Sequence, residues 1–189
     1  MFELAVNKLK KYLDSTQVFE DVSFKIYSGE KVGIVGDNGA GKSTTIKIII
    51  GTVDGYEGEA RIFGENIKDT KGEYKRKIGY VPEVSDLYES LTAKEYLNFI
   101  GELYDLDVEN STRKAKELMS QFGIENYLNT RISAFSKGMR QKLILISAII
   151  HNPEILFLDE PTTGVDPATR ADVWKIIKEL QKKEKMTVF

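Results

Sequence analysis

The chain has 189 residues, of which 41% are hydrophobic and 30% charged, with a net charge of −2 at pH 7. This length supports one substantial domain, and the near-neutral charge gives no electrostatic reason to expect nucleic-acid binding. Cysteine is absent, which excludes disulfides and thiolate metal sites, and the composition fits a cytosolic protein. Residues 1–13 do not resemble a signal peptide, and the longest apolar run, 143–150, is far shorter than the ~20 residues of a membrane span. Any membrane role therefore requires a partner.

Strands and helices alternate along the first part of the chain, which is typical of an α/β sheet. Residues 22–26 alternate apolar and polar, and the apolar run 31–35 leads into a glycine-rich loop, so we expect strands in both segments. A helix over 43–50 should end at Gly51. The segments 58–63 and 78–81 predict further strands, the first of them in a small antiparallel sheet.

A helical segment follows over 83–151. Thr92 and Glu95 form a capping box before one helix, residues 115–122 make a second amphipathic helix, and a third runs from about 138 to 150. The chain then returns to a buried strand at 155–158, a helix that begins at Asp166-Pro167 and runs to about 183, and a strand that opens at 186–189. We interpret the lone histidine, His151, as a surface residue at a helix end.

The segment GDNGAGKST at 36–44 contains the pattern G-x-x-x-x-G-K-[ST], with Gly36, Gly41, Lys42 and Ser43 at its fixed positions. Glycines let backbone N–H groups close around phosphate oxygens, and the following helix directs its partial positive end at them. The lysine adds a full charge at the β and γ phosphates, and the serine offers a hydroxyl to a metal ion. The motif therefore predicts binding of a nucleoside triphosphate with magnesium.

Two adjacent acids, Asp159 and Glu160, end the apolar run 155–158. A carboxylate at the end of a buried strand can hold the magnesium shell, and the next residue can polarise an attacking water. Lys42 and Asp159 are far apart in the sequence, so we expect them to meet through the parallel sheet. The two motifs together predict hydrolysis of the bound triphosphate.

A third motif, FSKGMRQ at 135–141, precedes ILFLDEPTTGVD at 155–166. This order resembles the signature, Walker B and D-loop of ATP-binding-cassette (ABC) ATPases, and the resemblance covers essentially the whole chain. It implies an α/β P-loop core with a mostly parallel sheet, a small antiparallel part and an inserted helical subdomain. It also implies one cassette domain over 1–189, with the core in 1–82 and 152–189 and the helical part in 83–151.

The resemblance implies a role for each matching residue. Lys42 and Glu160 would be catalytic, with Glu160 as the base, and Ser43 and Asp159 would hold Mg²⁺. Tyr12 would stack on the adenine of ATP, and Ser136, Gly138 and Asp166 would contact nucleotide as parts of the signature and D-loop. The phosphate-binding residues would be Gly36, Asp37, Asn38, Gly39, Ala40, Gly41, Lys42, Ser43 and Thr44.

The sequence departs from the family pattern at three places. Glu83 stands where the family usually has glutamine, and its carboxylate is expected to contact magnesium, water or a partner helix. Lys137 replaces the first signature glycine. His151 lies before the acidic strand and does not match the switch histidine, which would follow shortly after Phe189. From this we expect weak or no ATP hydrolysis by residues 1–189. The first two departures are typical of exporter cassettes.

The resemblance implies an ATP-binding and ATP-hydrolysing subunit of a transporter that drives export or translocation of its substrate. A second copy would pair head to tail, and an integral membrane permease would convert the ATP cycle into transport, with no nucleic acid involved. The location would be cytoplasmic, peripheral at the inner face of the cell membrane. One alternative is a non-transport cassette acting in DNA repair or on the ribosome, and another is a small-molecule P-loop kinase.

Overall fold

The computed structural model describes residues 2–13, 16–84 and 86–189. Strands and helices alternate after an initial hairpin, as the sequence predicts. The elements in chain order are β1 (Phe2–Leu13), β2 (Thr16–Tyr27), α1 (Lys42–Ile49), β3 (Tyr56–Ile62), β4 (Glu65–Asn66), β5 (Ile78–Val81), α2 (Ala93–Leu103), α3 (Val108–Gln121), α4 (Lys137–Ile149), β6 (Ile155–Leu158), α5 (Pro167–Glu184) and β7 (Thr187–Val188).

The N-terminal strands form an antiparallel sheet of four strands in the order β2-β1-β3-β4. In β1, Leu4, Val6 and Leu9 are buried, and Leu4 pairs with Ile26 on one side and Ile62 on the other. This is the predicted antiparallel part. The antiparallel sheet has four strands and the parallel sheet has three. Two of the four, β1 and β2, pair as a long hairpin, of which the sequence predicted only the strand at 22–26.

The parallel sheet has the order β5-β6-β7, with β6 in the centre. Ile155, Leu156 and Phe157 are completely buried, which is expected for a parallel strand covered on both faces. Phe157 belongs to a hydrophobic cluster shared with α1 and the antiparallel sheet, whereas Leu156 belongs to the cluster of the helical segment. The centre of this sheet therefore joins the two cores.

The predicted strand over 31–35 is only partly formed. Lys31 makes a parallel bridge to Val188, and the Val32 amide donates to the Val188 carbonyl at 2.9 Å. Ile34 and Val35 are 37% and 97% exposed. An apolar run becomes a strand only where a neighbour supplies hydrogen bonds, and within the described residues β7 supplies them only as far as Val32.

In the segment 83–151, α2 and α4 begin where their sequence signals predict, whereas α3 begins at Val108, seven residues before the predicted start at 115. Thr92 and Glu95 form the reciprocal capping box of α2, and the Asp107 and Ser136 side chains cap α3 and α4. Asp166 caps α5, with Pro167 in its first turn. Among the described residues no helix is long and apolar enough to span a membrane.

His151 follows the end of α4, as predicted, but its side chain is half-buried and not a free surface residue. Its ring stacks on Tyr104 at a centroid distance of 3.7 Å, and Nε2 lies 3.0 Å from the Ile78 carbonyl oxygen. Burial lowers the pKa of His151 to about 4. The neighbouring sequence predicts that His151 lies at a helix end. It does not predict the contacts of the ring with the end of α2 and the start of β5, which come from distant parts of the chain.

Candidate nucleotide site

The glycine-rich loop between residues 36 and 41 depends on left-handed backbone at Gly39 and Gly41, which have φ of 83° and 88°. Gly41 also packs closely on the antiparallel sheet, because a Cβ there would lie 2.5 Å from Cδ1 of the buried Phe19. Glycine at 41 therefore serves two purposes: it supplies the turn into α1, and it lets the loop rest on β2. The remainder of the loop, residues 36–40, is exposed.

Lys42 is the first residue of α1 and folds back over the loop. Its Nζ donates to the Gly36 and Asp37 carbonyl oxygens at 2.9 and 3.0 Å. Within the described residues no side chain caps α1, so its N-terminal N–H groups are available to phosphate oxygens. The ammonium group and the positive end of the helix thus share one exposed concave surface.

Ser43 and Asp159 connect the loop to the acidic strand. The Ser43 hydroxyl donates to Asp159 Oδ1 at 2.8 Å, although the two residues are 116 positions apart in the sequence. Asp159 is only 4% exposed, and its amide donates to the Val81 carbonyl at 2.9 Å, which extends the pairing of β5 and β6. The predicted meeting of the two motifs through the parallel sheet is confirmed.

Glu160 follows at the exposed end of this strand, in a left-handed backbone conformation with φ of 49°. Such a conformation is unfavourable for a residue with a Cβ, by the order of 1–3 kcal/mol. Its Oε2 accepts a hydrogen bond from the Thr163 hydroxyl at 2.9 Å. The turn directs the carboxylate away from the buried strand and toward solvent beside Asp159.

A cleft of about 410 Å³ lies against the loop and the acidic strand. Lys42, Asp159 and Glu160 line one side of it, and Trp174 and Phe189 contribute apolar walls. A positive helix end, a lysine and two carboxylates therefore face a common space, which is the combination that a magnesium-bound triphosphate requires.

The oxygen donors of Ser43 and Asp159 fit Mg²⁺, which proteins usually bind through one or two carboxylates together with substrate phosphates and water. In residues 2–13, 16–84 and 86–189, no three His, Cys, Asp or Glu side chains lie together as a metal cage. The donor set is thus suited to a metal ion that arrives with the nucleotide rather than to a resident ion.

Tyr80 is a site neighbour that sequence reasoning missed. It lies on β5 opposite Phe157, and its buried hydroxyl has no hydrogen-bond partner among the described residues. Burial raises the pKa of Tyr80 to about 12, with further contributions from the negative charge of Asp159, hydrogen bonding toward its carboxylate and the charge of Glu83. The sequence motif GYVPE contained this tyrosine, but only the strand register places it beside the acidic strand.

The starts of α4 and α5 lie against each other. Ser136 accepts a hydrogen bond from the Met139 amide at 3.2 Å, and Asp166 accepts one from the Thr169 amide at 2.9 Å. Hydrogen bonding from the Thr169 hydroxyl, and then from its amide, lowers the pKa of Asp166. A Cβ on Gly138 would come within 3.1 Å of the Thr169 side chain. The absence of a side chain at 138 therefore allows the start of α4 to approach the start of α5.

The remaining predicted residues lie at the periphery. Glu83 is exposed at the bend after Pro82, and its charge acts on Tyr80. Tyr12 is 41% exposed near the end of β1, where it pairs with Gln17. Thr44 lies partly buried in the first turn of α1. Contacts of these three residues with a nucleotide stay predictions.

Comparison with known proteins agrees with this geometry. The family model described as "ABC transporter" matches residues 19–163. The chain is 36% identical over 184 residues to the ABC transporter ATP-binding protein NatA of Bacillus subtilis, covering 95% of this chain and 75% of that protein. It is also 36% identical to the linearmycin resistance ATP-binding protein LnrL of the same organism, covering 94% of this chain and 57% of that protein. A solved structure titled as the ATP binding subunit of an ABC transporter superposes with a TM-score of 0.85 at 35% identity, covering 98% of this chain and 77% of that one.

The fold and the site define a P-loop ATP-binding cassette. The chain belongs to the ABC transporter family, as its three sequence motifs predict. Similar proteins also include the bacitracin transport ATP-binding protein BcrA of Bacillus licheniformis, at 34% identity over 181 residues. The chain spans 57% of the length of LnrL and 58% of the length of BcrA.

Proposed function

We propose that the chain binds MgATP between the loop at 36–44 and the acidic strand, and that this site hydrolyses ATP in the assembled transporter. The observation that carries this proposal is the 2.8 Å hydrogen bond between Ser43 and Asp159. It brings a metal-binding hydroxyl and a metal-binding carboxylate together beside the Lys42 ammonium group. A nucleotide γ-phosphate held by Lys42 would share its magnesium ion with these two side chains.

Glu160 is the proposed general base. In the reaction, a water oxygen bonds to the γ-phosphorus, the bond to the β–γ bridging oxygen breaks, and the products are ADP and phosphate. The strained turn at Glu160 and its bond from Thr163 orient the carboxylate beside the metal acid without burying it. Glu83, the second carboxylate near this edge, is the proposed contact to magnesium or to the attacking water.

A second copy of the cassette would complete the site. Ser136 and Gly138 stand at the free start of α4, where a hydroxyl and helix N–H groups suit the γ-phosphate bound by the partner. Asp166 would join this contact because α4 and α5 meet at Gly138 and Thr169. Tyr12, on the exposed end of β1, would stack on the adenine ring. ATP would thus close a head-to-tail dimer, and hydrolysis would open it.

The membrane permease would dock in the groove beside the helical segment 83–151, which we propose as a subdomain distinct from the core at 1–82 and 152–189. This groove has a volume of about 490 Å³ and is lined by Pro82, Val84, Ile100 and Leu103, among others. Val84 and Leu103 are 78% and 59% exposed. Such apolar anchors suit a partner helix, and through it the chain would be held at the cytoplasmic face of the membrane.

The test is trapping of the dimer. Glu160→Gln keeps the shape of the side chain and removes the base, so with MgATP it should bind nucleotide and accumulate as a dimer in sedimentation velocity. Glu179→Gln, on α5 far along the chain from the motif, is the control and should behave like the wild type. In the assembled transporter, Glu160→Gln should hydrolyse ATP at least about 10²-fold more slowly. Hydrolysis at the wild-type rate would contradict the role of Glu160.

A further inference from the structure

The buried hydroxyl of Tyr80 is a feature that the roles assigned above do not use. A buried polar atom without a hydrogen-bond partner is rare in a native structure and costs about 1–3 kcal/mol. Among the described residues only two buried side-chain polar atoms have no partner, and the Tyr80 hydroxyl is one of them. The feature therefore requires a physical reason.

The strand register places this hydroxyl beside the metal acid. Tyr80 on β5 lies opposite Phe157 on β6 in a parallel pair, so the two side chains share a face of the sheet. Side chains alternate along a strand, and Asp159 is two residues beyond Phe157, so Asp159 lies on that same face. The Asp159 amide continues the ladder by donating to the Val81 carbonyl at 2.9 Å. Tyr80 and Asp159 are therefore diagonal neighbours on the face toward α1.

The Asp159 carboxylate has acceptor capacity left for this hydroxyl. A carboxylate offers about four lone-pair sites, and Ser43 donates to Oδ1. Because Asp159 is 4% exposed, solvent contributes little to its orientation. A tyrosine hydroxyl is a donor of suitable strength, and it is held on the rigid strand β5.

We propose that Tyr80 is a positioning residue for the magnesium–nucleotide site, whose hydroxyl donates to Asp159 and holds this carboxylate toward the metal ion. The inference rests on the proposed MgATP site. The register of β5 and β6 brings the hydroxyl toward the Asp159 carboxylate, and binding of MgATP would fix the two groups in this contact. Partners of metal-binding carboxylates act in this way on metal affinity, typically by 10–100-fold when removed.

Tyr80→Phe tests the proposal, because it removes only the hydroxyl. ATP affinity should be measured by calorimetry twice for each protein, once with Mg²⁺ and once with EDTA. The ratio of the two affinities should fall about tenfold in Tyr80→Phe, whereas the EDTA value should stay unchanged. Urea unfolding of the nucleotide-free chain should show equal or greater stability, because a buried unpaired hydroxyl is gone.

Tyr74→Phe is the matched control. Tyr74 is buried in the same hydrophobic cluster, but its hydroxyl lies at Gly51, away from the acidic strand. Its substitution should leave the Mg²⁺ dependence unchanged. An unchanged ratio in Tyr80→Phe, or equal losses with Mg²⁺ and with EDTA, would overturn the positioning role and indicate a structural hydroxyl. If the wild-type chain bound ATP equally with Mg²⁺ and EDTA, the proposed MgATP site itself would fail.

Discussion

Substitution of Gly41 by alanine should separate two reasons for glycine in the phosphate loop. Gly41 has φ of 88° and ψ of 13°, and a Cβ there would lie 2.5 Å from Cδ1 of Phe19. The left-handed backbone costs an alanine about 1–2 kcal/mol. Overpacking against a buried side chain adds about 1–3 kcal/mol. Gly41→Ala should therefore lower the free energy of unfolding by about 2–5 kcal/mol.

Gly39→Ala is the matched control. Gly39 has a similar φ of 83°, but nothing lies within 4 Å of an added Cβ. Gly39→Ala should therefore lower the free energy of unfolding only by the cost of a left-handed backbone at alanine, about 1–2 kcal/mol. Urea denaturation followed by the fluorescence of the single tryptophan, Trp174, measures both variants.

A double-mutant cycle with Phe19→Leu identifies the source of the difference. A smaller side chain at 19 removes the clash, so the combined variant should lose less stability than the sum of the two single changes. Equal losses for Gly41→Ala and Gly39→Ala, or additivity with Phe19→Leu, would refute the conclusion that the loop rests on β2 through Gly41.

Three further outcomes follow from the site and its surroundings. Ser43→Ala removes the hydroxyl that joins the loop to Asp159, so calorimetry should show loss of most of the Mg²⁺-dependent gain in ATP affinity, with affinity in EDTA retained. The pKa of His151 is lowered from 6.5 to about 4, so the unfolded state binds the extra proton between these values and stability should fall as pH drops through this window. His151→Phe keeps the stack on Tyr104 and should flatten that part of the pH dependence in urea titrations; an unchanged slope would contradict the assignment. Val84→Asp should reduce transport by the assembled transporter while ATP binding by the chain persists, whereas Val108→Asp, at an exposed valine on α3, should have no effect on either.

Val84 is a better probe of docking than Leu87, which lies three residues further along the chain. Leu87 is partly buried and packs against the core of the helical segment, so a charge there would test folding. Val84 is 78% exposed in the groove. A change at Val84 therefore alters the surface that a partner would contact, with little effect on the core.

The features that the sequence predicted well depend on local chemistry. A few consecutive residues are enough to predict each of these features: the phosphate loop, the buried strand before Asp159, and the caps of α2, α4 and α5. The contact between Ser43 and Asp159 was also predictable, because both motifs end strands or begin helices at one edge of a parallel sheet. Short-range patterns thus specified both the parts of the site and their meeting.

The features that the sequence did not predict depend on tertiary partners. The run at 31–35 has the composition of a strand, but hydrogen bonding from Val188 reaches only Val32. His151 is half-buried because Tyr104 and Ile78, from segments distant in the chain, both contact its ring. The position of Tyr80 beside Asp159 required the register of β5 and β6. None of these contacts can be predicted from the residues next to it in the sequence.

The most direct measurement of the central claim is titration of the chain with MgATP. In the wild type we expect one saturable site, and in Lys42→Ala we expect most of the affinity to disappear, because the phosphate charges lose their main cation. Lys47→Ala, an exposed lysine on the same helix, is the control and should bind like the wild type. The absence of binding to the wild type, or equal affinity in Lys42→Ala and the wild type, would contradict the assignment of this loop and acidic strand as an ATP site.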